Sequence, residues 1–501
     1  MYLLGFDVGS SSIKATVMDG EKGTVLATKT SPEIEMEIIA RKPGWAEQHP
    51  HVWWDNVKAA AFHVISHAGI DPCDVGAIGI SYQMHGLVVV DRNQKVLIPS
   101  IIWCDSRAVE IGDRAFREIG PEKCLKHLLN SPGNFTASKL RWVKENEPDV
   151  YAKIYKAMLP GEFIAMKMTG EIFTTPSGLS EGIFWDYKKQ GPADMVFDYY
   201  GISPDLIPDV LPTFSVQGEL TRKAAAELGL RPGTKVTYRA GDQPNNALSL
   251  NVLNPGEIAA TAGTSGVVYG VTETACFDRK SRVNTFVHVN HQPDIPRYGV
   301  LLCINGTGIL NRWLRNNIMK IGQAGMTYGR MNELALQAPV GAEGLLILPY
   351  GNGAERTLEN RDIGCSFHNL KFNIHMRRHY LRAAQEGIVF ALNYGLGIAR
   401  GMGVDVSKIR AGDTNMFLSE LFGAAFASVT EATVELYNTD GSQGAARGAG
   451  IGVGYYRTPA DAFAGLKTTR VIEPNKELVH AYREAYSRWR GVLEQRLEEN
   501  T

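Results

Sequence analysis

A chain of 501 residues is too long for one compact core and is expected to divide into two domains, with three as the alternative. Its 44% apolar and 21% charged residues are ordinary for a globular protein, and a net charge of −1 excludes a sequence-wide basic surface for nucleic acid or membrane. Six scattered cysteines (Cys73, Cys104, Cys124, Cys276, Cys303, Cys365) form no Cys-x-x-Cys pair, no apolar run reaches the ~18–20 residues of a membrane helix, and the start shows no secretion pattern, so a cytoplasmic setting is expected.

In chain order, "YLLGF", "IKATVMD" and "TVLATKT" read as a strand meander, joined by a Gly-Ser turn and by "GEKG". Trp53, Val57, Ala60, Val64, Ile65 and Ala68 then recur at helical spacing. "AIGIS", "LVVV" and "VLIPSIIW" return to strands, the stretch from "TASKL" to "MKMTGE" looks helical, and "TKVTYRAGD" is a strand again. The opening pattern recurs in "EIAATAGTSGVVYGVT", with Gly9 and Gly263 half a chain apart, which suggests an internal repeat. Turn signals at "LNVLNPGE" place the boundary there, giving domains 1–248 and 249–501. The last thirty residues read as one amphipathic helix, with Leu478, Tyr482, Tyr486, Trp489, Val492, Leu493 and Leu497 as its stripe against the second half.

Two kinds of constellation carry chemistry. Gly9 with Ser10, Ser11 and Ser12, and Gly263 with Thr264 and Ser265, can each turn backbone N–H groups and hydroxyls onto a phosphate; either alone could also be a plain hairpin turn. Neither fits a Walker A loop or a nucleophile elbow. As a pair, one per half, they suggest two loops gripping one polyphosphate. Asp7, at the end of the first strand, then suits Mg²⁺, which takes one or two carboxylates plus phosphate oxygens; turn capping is the structural alternative. Lys14 could neutralise phosphate or simply be a solvated strand lysine.

The second kind lies at strand ends, where α/β sheets gather their ligands. "YQMHG" supplies Gln83, Met84 and His85, "WCDSR" supplies Trp103 and Asp105, and "AGDQPNN" supplies Asp242 and Gln243. Amide, carboxylate and indole together suit a polyol, although His85 alone could be a satisfied structural histidine. Asp242 closes a strand with Pro244 fixing the chain after it, which suits a general base for a substrate hydroxyl.

Taken together, "GFDVGSSSIKATVMD", "QMHG", "AGDQPNNA", "AGTSG" and "LPYGNGAERT" resemble the FGGY carbohydrate kinases, and "TASKLRWVKENEP" and "FHNLKFNIHMRRHYLRAAQEG" are similar to that family's extended signatures. The resemblance runs from Tyr2 to about Tyr456. It implies an α/β, two-domain, actin-like ATPase with a duplicated RNase H-like core and ATP in the cleft between the domains. It further implies Asp7 near Mg²⁺, Met84 and His85 on the sugar, Asp242 as base, and Gly263, Thr264 and Ser265 as the second phosphate loop. Gly306 and Thr307 in "CINGTGILNRW" would fall near the nucleotide, and Gly412 and Asn415 in "RAGDTN" match part of the family's adenine-side motif, whose first two glycines are replaced here. Gln243 stands where the relatives carry Asn. The activity implied is transfer of the γ-phosphoryl group of ATP to the 5-hydroxyl of D-xylulose, with ribulose, gluconate or another polyol, or an actin-like ATPase without a sugar, as alternatives. A homodimer is open, and neither nucleic acid nor membrane is expected as a partner.

Overall fold

A computed structural model describes residues 1–321, 324–354 and 356–499. Both halves of the chain begin with the same unit. Tyr2–Val8 and Ile13–Asp19 form an antiparallel hairpin, Val25–Ser31 extends it antiparallel, and Val75–Tyr82 and then Lys235–Gly241 add parallel strands on the other side. In the second half Ile258–Ala262 and Gly266–Thr272 form the hairpin, Tyr298–Ile304 extends it antiparallel, and Lys408–Gly412 and Thr433–Tyr437 add the parallel pair. Asn284–Val287 and Thr468–Ile472 lengthen the second sheet at its two edges. The similarity between Gly9 and Gly263 is thus a repeat of sheet topology, and the molecule has the expected two-domain α/β fold.

The first hairpin is covered on both faces, which explains why its strands read as unbroken apolar runs instead of alternating. Leu3, Leu4, Phe6, Val8, Ile13, Ala15, Val17 and Met18 are all fully buried. Pro50–Ala68 is the helix on one face, begun by Pro50 in its first turn and ended by Gly69 in the left-handed region. The other face is covered by Gly441–Gly452, a helix from the opposite half of the chain. Sheet and helix approach so closely that a Cβ on Gly5 would lie 2.0 Å from Ser442 O, and one on Gly79 would lie 1.9 Å from Ala445 O. Sequence halves and packing units therefore do not coincide at this helix.

Two expectations change in detail. Of "VLIPSIIW" only Ser100–Ile101 is a strand, because Pro99 cannot donate to a ladder. The long helical reading resolves into the helix Thr136–Asn146, a single helical turn Pro148–Tyr151, a short strand Lys156–Met158 and the helix Pro160–Thr169, with Pro148 and Pro160 each starting a helix. The C-terminal helix spans Lys476–Glu499, residues 500 and 501 lying outside the described residues. Tyr482, Trp489 and Leu493 are buried in the second half's core, where the Trp489 Nε1–H donates to Ile347 O at 2.8 Å. Among the described residues, no helix is long and apolar enough to cross a membrane.

Candidate active site

Both hairpin loops line one cleft of about 600 Å³. The same cleft is lined by Asp7, Lys14, Gln83, Met84, His85, Trp103, Asp242, Gln243, Gly412 and Asn415, besides Gly9 to Ser12 and Gly263 to Ser265. Most of the expected site residues thus come together, although they arise from widely separated parts of the chain.

The first loop is a tight turn, in which Gly9 N–H donates to Ser12 O at 3.1 Å. Behind it, Asp7 accepts from Ser81 Oγ at 2.9 Å. Burial pushes the Asp7 carboxyl above its ordinary range, and the nearby Asp440 charge adds to that, opposed by the Ser81 hydrogen bond. Lys14 does not stand free toward the cleft: its ammonium pairs with Asp440 at 2.6 Å. Asp440 in turn caps the Gly441–Gly452 helix, accepting from Gln443 N–H at 3.0 Å and from Ser442 Oγ at 2.7 Å. Burial acts to raise the Asp440 carboxyl, but Lys14 and these hydrogen bonds outweigh it and the net shift is downward. Gly441 abuts Asp7 so closely that a Cβ there would lie 2.4 Å from Asp7 Oδ2.

The second loop rests on the start of the helix Gly308–Asn317, where Gly308 N–H donates to Gly263 O at 2.9 Å and Ile309 N–H to Thr264 O at 3.3 Å. Gly306 and Thr307, expected beside the nucleotide, are instead behind this loop and do not line the cleft. Thr307 is fully buried, and a Cβ on Gly306 would fall 1.4 Å from Pro349 O. Gly306 thus packs its backbone directly against "LPYG"; Glu355 of that motif lies outside the described residues.

From the same sheet as Asp7, Asp242 begins the helix Asp242–Ser249 directly after the strand Lys235–Gly241. A carboxylate in a helix's first turn is favoured by the exposed N–H groups there. This helix is tied to the Asp440–Gly441 turn by Asn245 Nδ2 donating to Gly441 O at 2.8 Å and by Ser249 Oγ donating to Asp440 O at 2.7 Å. The Asp242 helix and Asp7 are therefore braced against a common element.

His85 has φ of 61°, unusual for a residue with a Cβ. Its Nδ1–H donates to Glu181 O at 3.0 Å, which leaves Nε2 as an acceptor. Burial, reinforced by Lys139, pulls the imidazole down to about 3, so His85 is neutral. Its ring meets Phe135 edge-on at 4.7 Å and Phe286, from the second half, at 5.4 Å. Gln83 is buried, lines the cleft, and has no hydrogen-bond partner for either side-chain polar atom among the described residues. Buried amides are normally paired, so this one is available to a ligand. Trp103 is exposed at the rim, its Nε1–H donating to Ser10 Oγ at 3.3 Å.

Asp105 does not belong to this wall. It is fully buried, grips Arg107 with both oxygens at 2.7 and 2.9 Å, and accepts from Ala46 N–H at 2.6 Å. Arg107 also pairs with Glu47 at 2.8 Å and stacks on Trp45, so Asp105 anchors an inward-facing cluster. Conversely, Asn246, Thr414, Phe417, Asp440 and Gly441 line the cleft without having been singled out. The Asp-Gly start of "DGSQGAARGAG" is a legible helix cap, but nothing local indicates that it points at Asp7.

Family models for the N-terminal and C-terminal domains of the FGGY family of carbohydrate kinases match residues 2–249 and 258–451. The chain is 27% identical to a xylulose kinase of Bacillus subtilis, over 100% of this chain and 98% of that one. It is also 27% identical to an L-xylulose/3-keto-L-gulonate kinase of Escherichia coli, over 98% and 96%. Among solved structures, a xylulose kinase from Rhodospirillum rubrum superposes with a TM-score of 0.87 at 26% identity, covering 99% of both chains.

Proposed function

Because the chain belongs to the FGGY family of carbohydrate kinases, it is an ATP-using sugar kinase, and we propose that it acts on D-xylulose, giving D-xylulose 5-phosphate and ADP. In this reading Asp242 takes the proton of the 5-hydroxyl as the new P–O bond forms and ADP departs. The loops at Gly9 to Ser12 and Gly263 to Ser265 hold the phosphates, and Gly412 and Asn415 lie on the nucleotide side. Residues 1–248 carry the sugar site and base, and 249–501 carry most of the nucleotide site.

Gln83 is the observation that carries the acceptor side. A buried amide with both polar atoms unpaired suits a hydroxylated ligand, whose groups can donate and accept. Neutral His85 with Nε2 as acceptor, Met84, Trp103 and Gln243 complete that wall. Asp7 fits a magnesium ion carried by the nucleotide. Among the described residues no cluster of three or more His, Cys, Asp or Glu could hold a metal alone, whereas nucleotide-borne magnesium needs only one or two carboxylates. Asp7, with Asp440 beside it, would hold that ion, which would supply charge neutralisation at the phosphates.

A second reading keeps the reaction and changes the sugar. Gln243 is one methylene longer than the Asn of the resembled enzymes, and the L-xylulose/3-keto-L-gulonate kinase shares the same 27% identity with this chain as the B. subtilis relative. ADP release measured across D-xylulose, L-xylulose, ribulose and gluconate decides between them. D-xylulose is expected to give the highest kcat/KM; a lower rank for it refutes the substrate assignment.

A further inference from the structure

Lys139 is fully buried, yet among the described residues it has no carboxylate partner. Its ammonium donates to two main-chain carbonyls, His85 O at 2.8 Å and Ile102 O at 3.1 Å, and to no other acceptor among the described residues. The nearest carboxylates are engaged elsewhere: Asp105 with Arg107, and Glu181 with Tyr82 Oη at 2.6 Å. Burial pulls the ammonium down to about 7, with Asp105 opposing that shift. A buried charge satisfied only by carbonyls detracts from stability, so its placement calls for a reason other than folding.

The two carbonyls identify that reason. Ile102 immediately precedes Trp103, and His85 follows Met84, so one ammonium joins the two loops that carry the sugar-facing side chains. His85 is the residue of this wall whose backbone is left-handed, and Lys139 makes one of three hydrogen bonds holding it there. The others are His85 N–H donating to Glu181 Oε2 at 3.3 Å and the Nδ1–H bond to Glu181 O. Lys139 itself does not line the cleft.

We infer that Lys139 is a positioning residue for the acceptor sugar, fastening the His85 loop to the Trp103 loop from behind. The inference rests on the sugar-kinase reading of that wall. Without the ammonium the two loops separate and His85 relaxes from its strained conformation, while the phosphate loops keep their own supports: Met36 N–H on Ser11 O, Gln48 Nε2 on Ser10 O, and the Gly308–Asn317 helix. Only the long Trp103–Ser10 bond joins the first of them to the displaced wall.

The test is steady-state kinetics of Lys139→Met in the full chain, using whichever sugar the unaltered chain phosphorylates best. KM for sugar is expected to rise about tenfold or more, with KM for ATP within about twofold and the unfolding temperature little changed. Lys139→Gln, which keeps an amide donor, is expected to recover part of that loss. Equal changes in both KM values, or no change in either, overturn the inference. Should Lys139→Met fail to fold, the same ratio measured on Lys139→Gln decides. A chain that phosphorylates no sugar at all instead refutes the functional reading beneath it, whatever the variants do.

Discussion

Gly441→Ala puts the smallest possible wedge between the capped helix and Asp7. The added methyl carbon would lie 2.4 Å from Asp7 Oδ2 and 3.2 Å from Asn246 Oδ1, against an ordinary contact of 3.4 Å or more. The carboxylate must retreat by about 1 Å, yet Ser81 holds its other oxygen, so the group rotates or the helix shifts. A displacement of about 1 Å at reacting groups can cost about 10²-fold in rate. Overpacking costs stability by about 1–3 kcal/mol, too little to unfold a typical domain. The expected result is a folded protein whose sugar-dependent ADP release falls about 100-fold at saturating substrates. Gly397→Ala is the control: it lies in the helix Arg377–Gly401 with no atom within 4 Å of the new Cβ, and should gain about 0.5–1 kcal/mol with unchanged turnover. Turnover of Gly441→Ala within about threefold of the unaltered chain, with folding intact, refutes the idea that Asp7 must stay where it is.

Asp242→Ala should lower sugar phosphorylation by about 10²–10⁴-fold while nucleotide still binds, as followed by calorimetry; normal turnover removes Asp242 from the reaction. His288 is buried with its Nε2–H donating to Val252 O and Nδ1 accepting from Tyr269 Oη, and burial pulls it from 6.5 to about 3. The unfolded chain therefore takes up this proton first, so its contribution to stability is complete above pH 6.5 and drains away as pH falls toward 3. His288→Gln should flatten that part of the acid unfolding curve, and an unchanged slope contradicts the assignment. Trp489→Ala should cost about 3–5 kcal/mol in denaturant unfolding, since a fully buried indole and its bond to Ile347 O are both lost; a cost under about 1 kcal/mol would show the C-terminal helix to be weakly docked.

What could be read beforehand follows the range of the forces involved. Hairpins, their Gly-Ser and Gly-Thr-Ser turns, and Asp242 at a strand end are matters of neighbouring residues, and the repeat emerges from two such local signals. Asp105 misled because, although Arg107 stands two residues on, nothing local shows that Glu47 and Trp45, from a distant part of the chain, draw the pair inward. Gly306 and Thr307 misled in the same way, since Pro349 lies more than forty residues on. Lys139 falls within the signature-like stretch "TASKLRWVKENEP", but nothing in the sequence says what it binds; only the packed structure shows two distant carbonyls meeting it. Domain assignment by halves of the chain likewise misses the crossing of Gly441–Gly452.

That crossing has a consequence for how the molecule comes into being. A ribosome releases the five strands of the first sheet by residue 241, yet one face stays bare until residue 452 has emerged. For almost half of synthesis the nascent first lobe displays a flat apolar surface, notched at Gly5 and Gly79 for a partner that does not yet exist. Maturation of the earlier lobe thus waits on the later one, and a fragment ending near residue 248 is expected to aggregate for want of this single helix.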